Sequence, residues 1–119
     1  IISDEPSSVE GGQDQGPDPY DLLLMSLGTC TAMTMKMYAR GKKWPVEDIF
    51  IEMRHSKRHA EDCADCESSS SKIDTIEKEL IIKGDLSQEQ LDKLLDISKK
   101  CPVHRTLMSE IKINTSLSE

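Results

Sequence analysis

The sequence predicts a single α+β domain, and three observations carry that reading. Residues 20–39, YDLLLMSLGTCTAMTMKMYA, are an apolar block of helical length. Residues 46–55 and 72–84 alternate apolar and polar side chains, the period of a half-buried strand. A second amphipathic helical pattern, begun by Ser87 with Gln90, precedes one more alternating segment at 108–117. Helix, strand, strand, helix, strand is an α+β order. A chain of 119 residues suits one domain with its own core.

Residues 1–18 read as loop, with Pro6, Gly11, Gly12, Gly16 and Pro17 among acids and serines. Ile1-Ile2 reads as the tail of a strand that starts upstream. Pro19 occupies a first helical turn, where proline is tolerated, and Asp21 suits the N-terminal dipole. From Leu22 to Met37 nearly every face is apolar, which predicts a central, buried helix rather than one with a polar stripe. Met25, Met33, Met35 and Met37 read as adaptable core packing. Gly41 and Trp44-Pro45 end this helix.

VEDIFIEMRH, residues 46–55, alternates Ile49, Ile51 and Met53 as a strand. Residues 58–72 are acidic, then Ser-rich, and read as a long loop. KIDTIEKELIIKG, residues 72–84, sets Ile76, Leu80 and Ile82 on one strand face, although Ile73, Ile76 and Leu80 also fit a helix. Ser87 with Gln90 is a capping-box signature, and Leu91, Leu94, Leu95 and Ile97 form one stripe that Cys101 extends before Pro102 breaks the helix. MSEIKINTSL, residues 108–117, alternates Ile111 and Ile113 with Lys112 and Asn114 as a closing strand.

Composition excludes several function classes. The net charge is -7, and Lys42-Lys43 and Lys99-Lys100 are the only basic doublets, each at a helix C-terminus, so the chain lacks the clustered cations of a nucleic-acid partner. No apolar run approaches the roughly 20 residues of a membrane span. Four cysteines are too few for a secreted disulfide scaffold and suit reduced thiols in a cytoplasmic protein.

Cys30 follows Leu23 by seven residues and Leu27 by three, so it shares their helix face. Spacing fits a buried structural thiol and a reactive one equally well. Cys101 has the same two readings. Thiols on the core faces of two packed helices approach disulfide geometry, the arrangement of a peroxidatic thiolate and its resolving partner. His104 and Arg105 follow Cys101; they sit on the surface of a short turn, or, if that turn bends inward, stabilise a thiolate. A second cluster, His55, His59, Cys63 and Cys66, spells H-x3-H-x3-C-x2-C, residue types that zinc favours. The alternative is an exposed acidic loop with incidental thiols.

GPDPYDLLLMSLGTCTAM followed, 71 positions after Cys30, by KCPVHRTL resembles the OsmC/Ohr family of thiol peroxidases, closest to the branch with HAEDCADCE. The likeness runs from Asp4 to about Thr115. It implies an OsmC-like fold over residues 1–119: a long central helix carrying the first cysteine, packed with a mainly antiparallel sheet and a second helix. It also implies an intertwined homodimer with active sites at the interface. Cys30 is the implied peroxidatic cysteine and Cys101 the resolving one. Organic hydroperoxides are the implied substrates and dithiols such as reduced lipoyl groups the implied reductants, with no required cofactor.

The family's peroxidases carry a Glu ten residues before the first cysteine, where this chain has Tyr20, with the shorter Asp21 beside it. Their thiolate-holding Arg comes from an N-terminal strand upstream of Ile1, and Arg105 is the substitute this sequence offers. The alternative function is a non-catalytic protein of the same fold that binds zinc through His55, His59, Cys63 and Cys66, or a small molecule.

Overall fold

The computed structural model describes residues 1–59 and 72–118. Five elements follow one another: α1 (Pro19–Lys42), β1 (Val46–His59), β2 (Lys72–Gly84), α2 (Gln88–Ser98) and α3 (Pro102–Met108). The architecture of the described residues is mixed, as the sequence predicts, but it has three helices and one antiparallel two-stranded sheet where the sequence suggests two helices and three strands.

The residues before α1 form a loop gathered on Asp4, whose carboxylate accepts from the backbone N–H groups of Gln13 and Gln15, both at 3.1 Å. Ile1-Ile2 is exposed and belongs to no strand. The helix α1 opens with a reciprocal cap, in which the Asp21 N–H donates to Asp18 at 2.7 Å and the Asp18 N–H donates to Asp21 at 3.1 Å. It runs through Gly41 and stops two residues later, where Lys43 takes a left-handed conformation with φ 59°. The stop is set by Pro45, which disfavours helical backbone at Trp44, rather than by the glycine.

The prediction of a helix buried on every face is corrected by the structure. Leu27, Thr31, Met35 and Ala39, four residues apart, are the buried positions of α1. Of the four methionines only Met35 is in the core; Met37 is 69 % exposed, and Met25 and Met33 also face outward. Within one chain, two strands and two shorter helices are too little material to surround a helix of 24 residues.

The strands β1 and β2 pair antiparallel from Val46 opposite Gly84 to His59 opposite Lys72. This settles residues 72–84 as strand rather than helix. Gly84 has φ +145°, and a Cβ there would collide with the Pro45 carbonyl oxygen, so the hairpin end requires glycine. The inner face of the hairpin carries Ile49, Ile51, Leu80 and Ile82, packed with Tyr38, Trp44 and Leu86 around Met35, Ala39 and Leu94. Phe50 and Ile81 point the other way.

Ser87 and Gln90 cap α2 as their spacing predicts, with the Gln90 N–H donating to Ser87 Oγ at 3.2 Å. The buried stripe of α2 is Leu94, Ile97 and Ser98; Leu95, assigned to that stripe by sequence, is 48 % exposed. A turn of about 100° per residue allows adjacent residues such as Leu94 and Leu95 only one shared edge, and the core takes Leu94. The closing strand is also corrected. Residues 109–118 lie outside any helix or strand, with Ile113 83 % exposed. Alternation becomes a strand only when another backbone pairs with it, and neither edge of β1–β2 receives this segment.

The Leu94–Leu95 pair offers a direct test of where the core sits. Leu94→Ala is expected to cost about 2–5 kcal/mol in urea denaturation. Leu95→Ala is expected to stay within about 0.5 kcal/mol of the parent. Equal losses would contradict the packing described.

Candidate active site

The site lies where α1, the α2–α3 junction and β2 converge. Thr31 sits on the buried stripe of α1, and Cys30, one residue earlier and about 100° around, is half-buried. The helix α2 ends at Ser98, and Pro102 starts α3 instead of extending α2. Cys101 therefore does not extend the α2 stripe; it is the N-cap of α3, with extended backbone. Its side chain is fully buried. The Cys101 sulfur accepts from the His104 backbone N–H at 3.2 Å and lies 3.5 Å from Thr31 Oγ1. Both thiols are free, and Cys30 is near enough to influence the titration of Cys101.

Sequence reasoning missed the residue that organises these groups. Lys78, from β2, places its ammonium nitrogen 3.0 Å from Thr31 Oγ1, 2.8 Å from the Ser98 carbonyl oxygen and 3.0 Å from His104 Nδ1. A signal for it existed. Lys78 falls at an inward position of β2, between Ile76 and Leu80, and lysine is almost never buried without partners. Those partners come from three other elements, which strand periodicity cannot specify.

The electrostatics follow from this packing. Burial pushes the Cys101 thiol up, but hydrogen bonds from Thr31 and the His104 N–H, the neighbouring Cys30 and the charge of Lys78 outweigh it. The thiol ends below its ordinary range. Burial lowers Lys78, and Lys99 adds to that effect while the two cysteines oppose it. His104 is also lowered, by burial first and then by Lys78 and Lys99, so its Nδ1 accepts from the ammonium as a neutral ring.

An open cavity of about 210 Å³ adjoins this cluster, lined by Leu27, Ile76, Leu107 and Met108 together with Asp74, Lys78 and His104. A larger groove, about 660 Å³, lies between α1 and β1. Neither space is lined by a thiol, but the smaller one shares Lys78 and His104 with the cluster.

The other sequence candidates go elsewhere. Tyr20 is half-exposed and stacks on His55, with ring centroids 4.6 Å apart and planes 7° from parallel. Asp21 is occupied by the α1 cap. Arg105 is exposed on α3, and it is His104, not Arg105, that turns toward the thiols. Of the proposed zinc set, His55 is engaged by Asp74 at 2.9 Å, and His59 closes the strand ladder opposite Lys72. The His59 side chain and the Cys63 and Cys66 positions lie outside the described residues. Among the described residues no three His, Cys, Asp or Glu side chains gather as a metal site, and no helix is long and apolar enough to cross a membrane.

Fold and site together define a small α+β protein with two neighbouring thiols beside a half-buried lysine. Its family follows from comparison with known proteins. The OsmC-like protein family matches residues 12–116, nearly the whole chain, and the chain belongs to that family. No curated protein matches it. Among solved structures, a proposed osmotic stress induced and detoxification response protein from Psychrobacter arcticus 273-4 superposes with a TM-score of 0.69 at 20% identity, over 89% of this chain and 70% of that one. An OsmC-like hydroperoxide resistance protein from Jannaschia sp. CCS1 gives 0.64 at 21% identity, over 97% and 71%. The organic hydroperoxide resistance protein OsmC of Legionella pneumophila gives 0.63 at 17%, over 87% and 70%. At these identities the likeness is one of fold.

His104 gives the fold a pH dependence of definite sign. Because its folded-state pKa is depressed, the unfolded chain takes up the proton first as pH falls below the ordinary 6.5. The stability that comes with the neutral ring is present above that pH and is lost as pH falls through the lower folded-state value. The urea midpoint is expected to drop between pH 7.5 and 5.5, and to drop less in His104→Asn, which keeps an acceptor for Lys78. Identical drops would show that His104 carries no part of the effect.

Proposed function

We propose that this protein is a thiol-dependent reductant of organic hydroperoxides. Cys30 attacks the outer oxygen of the hydroperoxide, forming an S–O bond as the O–O bond breaks. The alcohol leaves with a proton, and Cys30 becomes a sulfenic acid. Cys101 then condenses with it, forming the Cys30–Cys101 disulfide and releasing water. A dithiol reductant opens that disulfide, so thiols carry all the electrons and the cycle uses no cofactor.

The observation that carries this reading is the convergence of two free thiols, one half-buried on α1 and one buried at the start of α3, across Thr31. Membership of the OsmC-like family supports it, as do fold neighbours described as hydroperoxide resistance proteins. The cavity beside Lys78 and His104 has an apolar side of Leu27, Ile76, Leu107 and Met108 that would take the carbon tail of an organic hydroperoxide.

Purified protein treated with cumene hydroperoxide is expected to lose two free thiols per chain, and Cys30→Ser is expected to lose neither. Equal consumption by both proteins, or none by the parent, would overturn the assignment. Cys101→Ser is expected to leave a Cys30 sulfenate that dimedone captures.

A homodimer belongs to the same proposal. The outward methionines of α1, with Phe50, Ile111 and Ile113, leave much apolar surface that a second copy would bury. Light scattering is expected to give roughly twice the chain mass of 13.4 kDa. A monomer at micromolar concentration would refute this part and leave the thiol chemistry standing.

A further inference from the structure

The bonds around Lys78 define both its charge and its direction of action. Acceptors at 2.8, 3.0 and 3.0 Å match the three N–H bonds of an ammonium. Thr31 Oγ1 spends a lone pair on that ammonium, which leaves its own proton free to point at Cys101 Sγ, 3.5 Å away. The His104 backbone N–H points at the same sulfur. The Cys101 sulfur thus faces donors, the environment of an anion rather than of a neutral thiol.

We propose that Lys78, acting through Thr31, is the positioning residue that holds Cys101 as the thiolate of the pair, making Cys101 the attacking group of the disulfide-forming step. The proposal rests on the redox reading above. It adds to that reading a residue outside the cysteine motifs, and it assigns the cation to the second thiol rather than to the first. In this step an electron pair of the Cys101 thiolate forms the S–S bond to Cys30 while the S–O bond of the sulfenic acid breaks. The oxygen leaves as hydroxide and takes up a proton from solvent to become water. Cys101 is oxidised and the Cys30 sulfenic sulfur is reduced to the disulfide level.

Every packed element contributes to the setting. Cys30 and Thr31 face Cys101 from α1, Lys78 from β2, and His104 from α3, with Lys99 at the end of α2 acting on Lys78 and His104. Asp74 lines the neighbouring cavity, but its carboxylate is engaged with His55. Among the described residues, the anion this cluster offers Lys78 is therefore a cysteine thiolate.

The test is a difference titration at 240 nm, Cys30→Ser minus Cys30→Ser/Cys101→Ser, which isolates Cys101 from Cys63 and Cys66. Adding Lys78→Met to both proteins is expected to move the titration up by about one pH unit or more, and Lys78→Arg is expected to restore most of the shift. Thr31→Val, which keeps the ammonium and removes the hydroxyl, is expected to raise it as well; it decides the matter should Lys78→Met not fold. Cys101 titrating at the same pH with Thr31→Val as in the parent background would overturn the proposal. A second readout follows the reaction itself. After one equivalent of cumene hydroperoxide, the dimedone-reactive Cys30 sulfenate is expected to persist about tenfold longer in Lys78→Met, since one pH unit is a tenfold loss of thiolate. An unchanged lifetime would remove Lys78 from the disulfide-forming step. Failure of the parent to form any Cys30 sulfenate would instead bring down the redox reading, while the titration alone still decides whether Lys78 holds a Cys101 thiolate.

Discussion

One half-buried ammonium ties this chain together. Lys78 leaves β2 and bonds to a hydroxyl of α1, the last carbonyl of α2 and the imidazole of α3. A lysine taken out of water without partners is strongly unfavourable, and its side chain here reaches an acceptor for each of its three protons. The hydrogen bond to Ser98 O also uses a carbonyl that the end of α2 would otherwise leave free. The arrangement holds only while three helices stand at the correct distance from one strand. The same contacts that satisfy the charge therefore set the position of both thiols.

The split between adjacent residues on α1 follows from the same constraint. Thr31 lies on the line of Leu27, Met35 and Ala39, so its hydroxyl is sealed between Lys78 and Cys101. Cys30 is rotated away by about 100° and stays half-buried. One thiol is thus partly open to approach, and the other is fully enclosed among hydrogen-bond donors. Two cysteines with the same spacing argument in sequence end in different environments.

How legible this was depends on the range of the interaction. The start of α1 could be read from Pro19 and its acids, and α2 from Ser87 and Gln90, because caps act over three residues. The two strand segments could be read from alternation, a period-two property of the backbone, but residues 72–84 also fit a helix, and only their pairing with β1 decides it. Errors came where distant partners decide. The segment 108–117 has the pattern of a strand but no pairing edge within the chain, and Cys101 left the α2 stripe because Pro102 begins a new helix. The role of Lys78 lies in residues 20 to 47 positions away, which local pattern does not specify, although an inward lysine between Ile76 and Leu80 is a visible signal. The resemblance motifs located both thiols, yet Tyr20, Asp21 and Arg105 turn out to be occupied or exposed elsewhere.

Holding Cys101 below its ordinary pKa has an energetic consequence for the proposed cycle. Whatever stabilises a thiolate stabilises the reduced pair, because the disulfide carries no charge for Lys78 to meet. Oxidation to the disulfide would leave Thr31 and the ammonium facing neutral sulfur, at a cost that burial makes larger. A dithiol–disulfide pair whose reduced form is favoured in this way is an oxidant toward other thiols, so the disulfide is readily opened by a dithiol. In the proposed cycle the leaving thiolate would be the one Lys78 holds, which would speed exchange when the reductant attacks the Cys30 sulfur, the more accessible of the two. The charge that readies Cys101 to close the disulfide is thus the charge that makes it a good leaving group when the disulfide opens. A single lysine would serve both halves of the turnover without touching the peroxide.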